Sequence, residues 1–201
     1  MLGYLFLVKI NNLVRFNKLV NYILEVVADI PPPAIIHKAE DTKLTFNEIF
    51  EFVKNHEGYK NLVYKDSLGI PTIGIGFNLT RPDAKNIISS VGANYLSVLK
   101  GEQKLTDEQI REIFKITIQI AYKDAKKWIS NFDGLPKNIK LAILDLSFNM
   151  GYPRLSKFIK TKEAIIVGDY SKAAEELTKS KWATQVGNRA KSIIGLFLAS
   201  S

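Results

Sequence analysis

The chain contains no cysteine and only two histidines, His37 and His56. The first absence excludes a disulfide framework, a thiolate nucleophile and any Cys-ligated metal site, and it leaves the redox compartment open. The histidines lie 19 residues apart with no HExxH pattern around them, which argues against a zinc hydrolase. A Ser-His-Asp triad would have to draw on one of these two, and no GxSxG elbow is present. No stretch approaches the roughly 20 consecutive apolar residues that a membrane-spanning helix needs. The first eight residues are uncharged and mostly apolar, but Lys9, Asn11, Asn12, Arg15 and Lys18 follow. A secretory leader places its positive charge before the apolar run and ends at a small-residue cleavage site. Neither holds here, so there is no clear signal peptide.

Acidic side chains are the minority charge. The formal net charge is +8, of which residues 1–40 carry only +1 (four basic, three acidic). The surplus on the remaining residues suggests an anionic partner: nucleic acid, anionic lipid or an anionic wall polymer. A basic surface with no dedicated partner fits the same numbers. No recognised nucleic-acid motif accompanies the charge, so no nucleic-acid partner is expected.

Residues 1–43 read as an appendage. Leu13, Val14, Phe16, Leu19, Val20, Ile23, Leu24 and Val27 are compatible with one face of a helix. Such a helix could dock on a protein, lie on a membrane surface or pack on the domain that follows. Pro31-Pro32-Pro33 then imposes an extended segment, and residues 31–43 are read as a linker. Residues 44–201 read as the main domain.

That domain opens with a capping box, Thr45 with Glu48, and helical apolar spacing at Phe46, Ile49, Phe50 and Val53, predicting a helix to about Asn55 or His56. The β-formers on either side of Asp66-Ser67-Leu68-Gly69 predict a hairpin. Pro71 cannot donate to a ladder, so its strand is expected at an edge or irregular. Downstream the pattern is helical. Thr106 with Gln109 caps a helix to about Ser130, Pro136 opens another that stops at Gly151, and further helices fit Lys157–Val167, Tyr170–Lys179 and Asn188–Ala199. The fold class is α+β, helix-dominated, with a small N-terminal hairpin lobe and a helical C-terminal lobe around a cleft.

Glycoside hydrolysis needs a carboxylic acid that protonates the leaving oxygen and a second group that directs water or attacks the sugar. Glu57 stands just past an apolar helix, Asp66 at the hairpin turn, and Thr72 in the returning strand. A hairpin folded back on the helix end would gather them around one cleft. Each also has a plain structural reading: a solvated helix-end Glu, an Asp that bonds its own turn, and an ordinary strand Thr.

The segment HEGYKNLVYKDSLGIPTIGIG resembles the active-site segment of the phage-type lysozymes, glycoside hydrolase family 24, in which Glu-Gly is followed by Tyr-x-Asp-x-x-Gly and Thr-Ile-Gly-x-Gly. Phe148-Asn149-Met150-Gly151 is similar to that family's helix-ending motif, and Trp182 with Gln185-Val186-Gly187-Asn188-Arg189-Ala190 to its C-terminal motif. The resemblance spans about residues 46–195 and implies a lysozyme-like fold. It implies an inverting N-acetylmuramidase that cleaves the β-1,4 bond between N-acetylmuramic acid and N-acetylglucosamine in bacterial peptidoglycan. Glu57 would be the general acid, Asp66 would activate water and stabilise positive charge, and Thr72 would hold that water. Arg189 would approach Glu57 and set its pKa and orientation. Gly74 and Gly76 would leave room for sugar rings, Asn149 and Asn188 would line or support the cleft, and Trp182 would pack in the core. No cofactor or metal is implied. A monomer is expected, acting from the host cytoplasm on the cell wall during lysis, or carried on a virion. Many relatives place His after the Gly-x-Gly, where Phe77-Asn78 stands here, so a charge pair made with that His is absent. A degenerate lysozyme domain serving as a structural or wall-attachment module is the main rival, and a chitin-directed glycosidase stays open.

Overall fold

The computed structural model describes residues 43–66 and 68–201. The readings of residues 1–30 as a docking helix and of Pro31-Pro32-Pro33 as a linker lie outside the described residues. The described chain runs α1 (Phe46–Glu57), β1 (Lys60–Lys65), β2 (Pro71–Gly74), β3 (Phe77–Asn78), α2 (Ala84–Ser90), α3 (Tyr95–Lys100), α4 (Asp107–Trp128), a 3-10 turn (Phe132–Gly134), α5 (Lys137–Leu155), α6 (Ile159–Ile166), α7 (Tyr170–Thr178), α8 (Lys181–Val186) and α9 (Asn188–Leu198). It is helix-dominated, with one small antiparallel sheet in the order β1-β2-β3.

Both capping boxes form. The Thr45 hydroxyl accepts from the Glu48 amide while Glu48 accepts from the Thr45 amide, and Thr106 and Gln109 do the same at α4. Each box satisfies two amides that a helix start leaves without partners. α1 runs one residue past its expected end and closes at Glu57, with Gly58 at φ 80°. That places the Glu57 carboxylate at a helix terminus, facing the sheet. Of the two alternatives expected for the strand of Pro71, the sheet excludes an edge, since β2 is central, and its pairing with β1 is irregular, with a register shift between Lys60 and Tyr64. Pro71 is the first residue of β2 and pairs with Lys65 at the ladder's end, where its missing N–H breaks nothing. The two-residue β3, which pairs Thr72 with Asn78 and Ile73 with Phe77, carries no sequence signal of its own.

Two buried clusters organise the fold. One gathers Phe50 and Val53 of α1, Ile73, Ile75 and Phe77 of the sheet region, and Ile110, Ile113 and Phe114 of α4. The other gathers Ala125 and Trp128 of α4 with α5, α7 and α9. α4 therefore contributes one stretch to each. α5 is buried over most of its circumference, including Ile139, Ala142, Ile143, Leu144 and Leu146, as expected of a helix at the centre of a lobe. Gly151 interrupts it at φ 66°, ψ 166°. This is the predicted stop, followed by one further turn. No described helix is long and apolar enough to cross a membrane.

Candidate active site

The hairpin and α1 meet at Glu57. Its side chain is 22% exposed, and Oε1 accepts a 2.5 Å bond from Arg189 Nη1. Oε2 lies on the side of Gly76: a Cβ built there would stand 3.0 Å from it. Gly76 is thus the residue that leaves room for the carboxylate. At Gly74 the same construction meets Ile110 at 3.2 Å. The space at that position belongs to the α4 core and not to a sugar ring, because Gly74 faces inward on β2.

Arg189 reaches Glu57 from the first turn of α9 and is itself buried. Its Nε donates to Asp145 Oδ1 at 2.7 Å and its Nη2 to the Asp145 backbone oxygen at 3.4 Å. The second Asp145 oxygen pairs with His56 Nδ1 at 2.9 Å. Burial opposes the Arg189 charge, but the adjacent carboxylates of Asp145 and Glu57 outweigh it and raise the guanidinium pKa. Asp145 does not figure among the residues singled out in the sequence, and His56 figures there only as a metal ligand or triad member to be weighed. One clue to Asp145 was a single acidic residue inside the apolar run Ile143-Leu144-Asp145-Leu146, since buried charges are paired.

Asp66 caps its own turn. Its Oδ1 accepts from the Leu68 and Ile70 amides at 2.8 and 2.9 Å, and its backbone N–H donates to the Ile70 oxygen. The turn thereby fixes the carboxylate's direction. Tyr64 pairs with Thr72 in the β1–β2 register. Its phenol pKa is raised first by burial and then by the charges of Glu57 and Asp66, so both carboxylates act on the same ring. The Thr72 hydroxyl donates to the Ile70 oxygen at 3.0 Å and is buried.

The remaining candidates fall elsewhere. Asn149 Oδ1 accepts from Trp182 Nε1 at 3.0 Å, tying α5 to α8. Trp182 is 9% exposed and belongs to the helical core, as expected, while its rim lines a recess of about 910 Å³ with Met150, Phe158 and Arg154. That recess contains neither Glu57 nor Asp66. A smaller cleft of about 190 Å³ lies between the hairpin at Gly76 and Asn78 and the helices at Ala121, Phe148 and Gly151. Asn188 is exposed beside His56 and Arg189. Among the described residues no group of three or more His, Asp or Glu side chains is placed to hold a metal ion.

Comparison with known proteins places this geometry in context. The family model described as phage lysozyme matches residues 54–197. The chain is 28% identical over 155 residues to a probable T4-type lysozyme 2 of Dictyostelium discoideum, covering 73% of this chain and 91% of that one. It is 24% identical over 131 residues to the peptidoglycan hydrolase gp36 of Enterobacteria phage SP6, covering 65% of this chain and 13% of that longer protein. It is also 24% identical over 158 residues to the pre-baseplate central spike protein Gp5 of Enterobacteria phage T4, covering 75% of this chain and 28% of the spike protein.

Proposed function

The chain belongs to the phage lysozyme family and is a cell-wall hydrolase; from that premise we propose that it is an N-acetylmuramidase, cleaving the β-1,4 bond between N-acetylmuramic acid and N-acetylglucosamine with inversion. Residues 44–201 form the catalytic unit in this reading. Glu57 is the general acid, Asp66 the carboxylate that directs water and stabilises developing positive charge, and Thr72 a hydrogen-bonding partner of that water.

The observation that supports this most is the asymmetric holding of Glu57. Arg189 grips Oε1, and Oε2 is left toward the glycine side, where a proton can be presented to a leaving oxygen. A general acid must be within hydrogen-bond reach of the atom it protonates and fixed in direction. Arg189 does not deliver its whole charge to Glu57, since Asp145 holds two of its three donor nitrogens. The turn amides aim the Asp66 carboxylate. Thr72 gives its proton to Ile70, and its oxygen keeps acceptor capacity for a water. The basic domain surface suits an anionic wall polymer, and relatives that include a phage spike protein suit action in phage lysis or from a virion.

Digestion of purified peptidoglycan tests the reading. Mass spectrometry of the fragments should show reducing N-acetylmuramic ends, and proton NMR should show the α anomer first. Glu57→Gln, which cannot donate an acidic proton, should lose at least about 10²–10⁴-fold in rate while keeping the fold. Initial β product, or a Glu57→Gln protein that digests at the parent rate, would overturn it.

A further inference from the structure

Behind Glu57 lies a chain of charge contacts from three helices. Asp145, on α5, is fully buried among apolar neighbours, where a lone carboxylate is strongly disfavoured. Two partners compensate it. Arg189 from α9 brings its Nε–Nη2 edge to the Oδ1 and the backbone oxygen, and His56 from α1, itself only 11% exposed, meets Oδ2. What remains of the guanidinium, Nη1, reaches Glu57. One cation is thus divided between two carboxylates, of which Glu57 keeps some exposure and Asp145 has none.

We propose that Asp145 is a positioning residue for glycan cleavage: it holds Arg189 by one edge, and by taking a share of its charge it limits how far that charge stabilises the Glu57 anion. The inference rests on the reading of Glu57 as the general acid. An Arg189 paired with Glu57 alone would favour the ionised carboxylate, and an acid that ionises at lower pH loses its proton before it can donate it. The other charged groups near Glu57 are Asp66, which acts together with Glu57 on Tyr64 of β1, and His56, one residue before it on α1. Asp66 is held by its own turn amides, which a change at Asp145 leaves in place. Asp145 is enclosed, so it cannot touch substrate, and its influence must pass through Arg189.

The test is Asp145→Asn in the full chain. The amide is nearly isosteric, and its oxygen can still accept from Arg189 Nε. Two readouts are taken: the pH dependence of kcat and KM on soluble peptidoglycan fragments, and ¹³C NMR titration of the Glu57 carboxyl, assigned with Glu57→Gln. The expected result is an alkaline limb of kcat, and a Glu57 titration, each displaced to lower pH by about one pH unit. KM should stay within about twofold of the parent. Asp145→Ser, which also removes the charge and leaves a small acceptor, should displace both in the same direction and serves if the Asn variant does not fold. A folded variant whose limb and Glu57 titration both stay where the parent's are would overturn the proposal. So would a raised KM with an unmoved limb, or loss of the folded state in both variants, which would make Asp145 structural only. Failure of the general-acid reading looks different: Glu57→Gln would then digest peptidoglycan like the parent, whatever Asp145 does to the titration.

Discussion

Gly76→Ala separates backbone strain from damage to the candidate site, because Gly74 supplies a matched control. Both glycines sit at positive φ, 65° and 64°. A Cβ in that left-handed region costs roughly 1–2 kcal/mol. For a protein of this size that corresponds to a fall in melting temperature of about 2–8 °C. The strain should therefore be similar in the two alanine variants. Their neighbours differ. The new Cβ at position 74 meets Ile110 at 3.2 Å, a packing contact that can relax within the core. At position 76 it meets Glu57 Oε2 at 3.0 Å, Cδ at 3.3 Å and Cβ at 3.5 Å. Glu57 cannot swing aside freely, since Arg189 holds its other oxygen. A displacement of the carboxyl approaching 1 Å is worth about 10²-fold in rate. Calorimetry and initial rates on purified peptidoglycan, measured for both variants, read the two effects apart. The expected outcome is similar losses of melting temperature, with a large fall in kcat only for Gly76→Ala. Equal activity losses in the two variants, or a Gly76→Ala enzyme with parental kcat, would refute the claim that this glycine exists to make room for Glu57.

Asp66→Asn should be severe for turnover and Thr72→Ala milder, since the first removes a charge and the second a hydrogen bond of about 1 kcal/mol; turnover on peptidoglycan that is normal for Asp66→Asn and absent for Thr72→Ala would reverse their roles. Glu48 gives a pH signature. Its bond to Lys137, with those to Thr45, lowers its pKa from 4.5 to about 2. A carboxylate held down in the folded state stabilises above its ordinary titration range, and that contribution is lost as pH falls from about 4.5 toward about 2. Glu48→Gln should therefore lower the melting temperature at neutral pH and narrow its gap to the parent in acid, as read by calorimetry across that range. Residues 44–201 alone should fold and digest peptidoglycan, because the Thr45 box starts α1 without upstream help; a soluble, folded but inactive truncation would move the domain boundary.

What was legible in the sequence was local. The capping boxes join residues three apart, and Gly151 interrupts its helix at positive φ, so a short window carries each signal. The long periodic helices were legible for the same reason. The six-residue helices α3 and α8 and the two-residue β3 were not, since too few turns or alternations exist to reveal a period. Pro71 leaves an edge and an irregular strand equally open, and register alone shows a central strand with an irregular pairing that Pro71 begins. At the site, the motif around Glu57 and Asp66 was readable as a resemblance. The His56–Asp145 pairing spans 89 residues, and no spacing rule links such partners. In the sequence His56 stands out only as a metal ligand or triad histidine to be weighed, and its actual partner is a carboxylate on another helix.

The shared use of α4 bears on how this domain comes apart. Ile110 to Ala121 anchor the sheet-side cluster and Ala125 and Trp128 the helical one, so neither can lose its packing without loosening one end of a single 22-residue rod. Hydrogen-bonded helix turns between the two ends transmit that loosening, because opening one turn removes partners from the next. The two lobes are thereby coupled into one cooperative unit: heat and denaturant should unfold them in a single transition. The slowest-exchanging amides should lie in the middle of α4, near Thr117 to Ala121, where opening requires both clusters to yield at once.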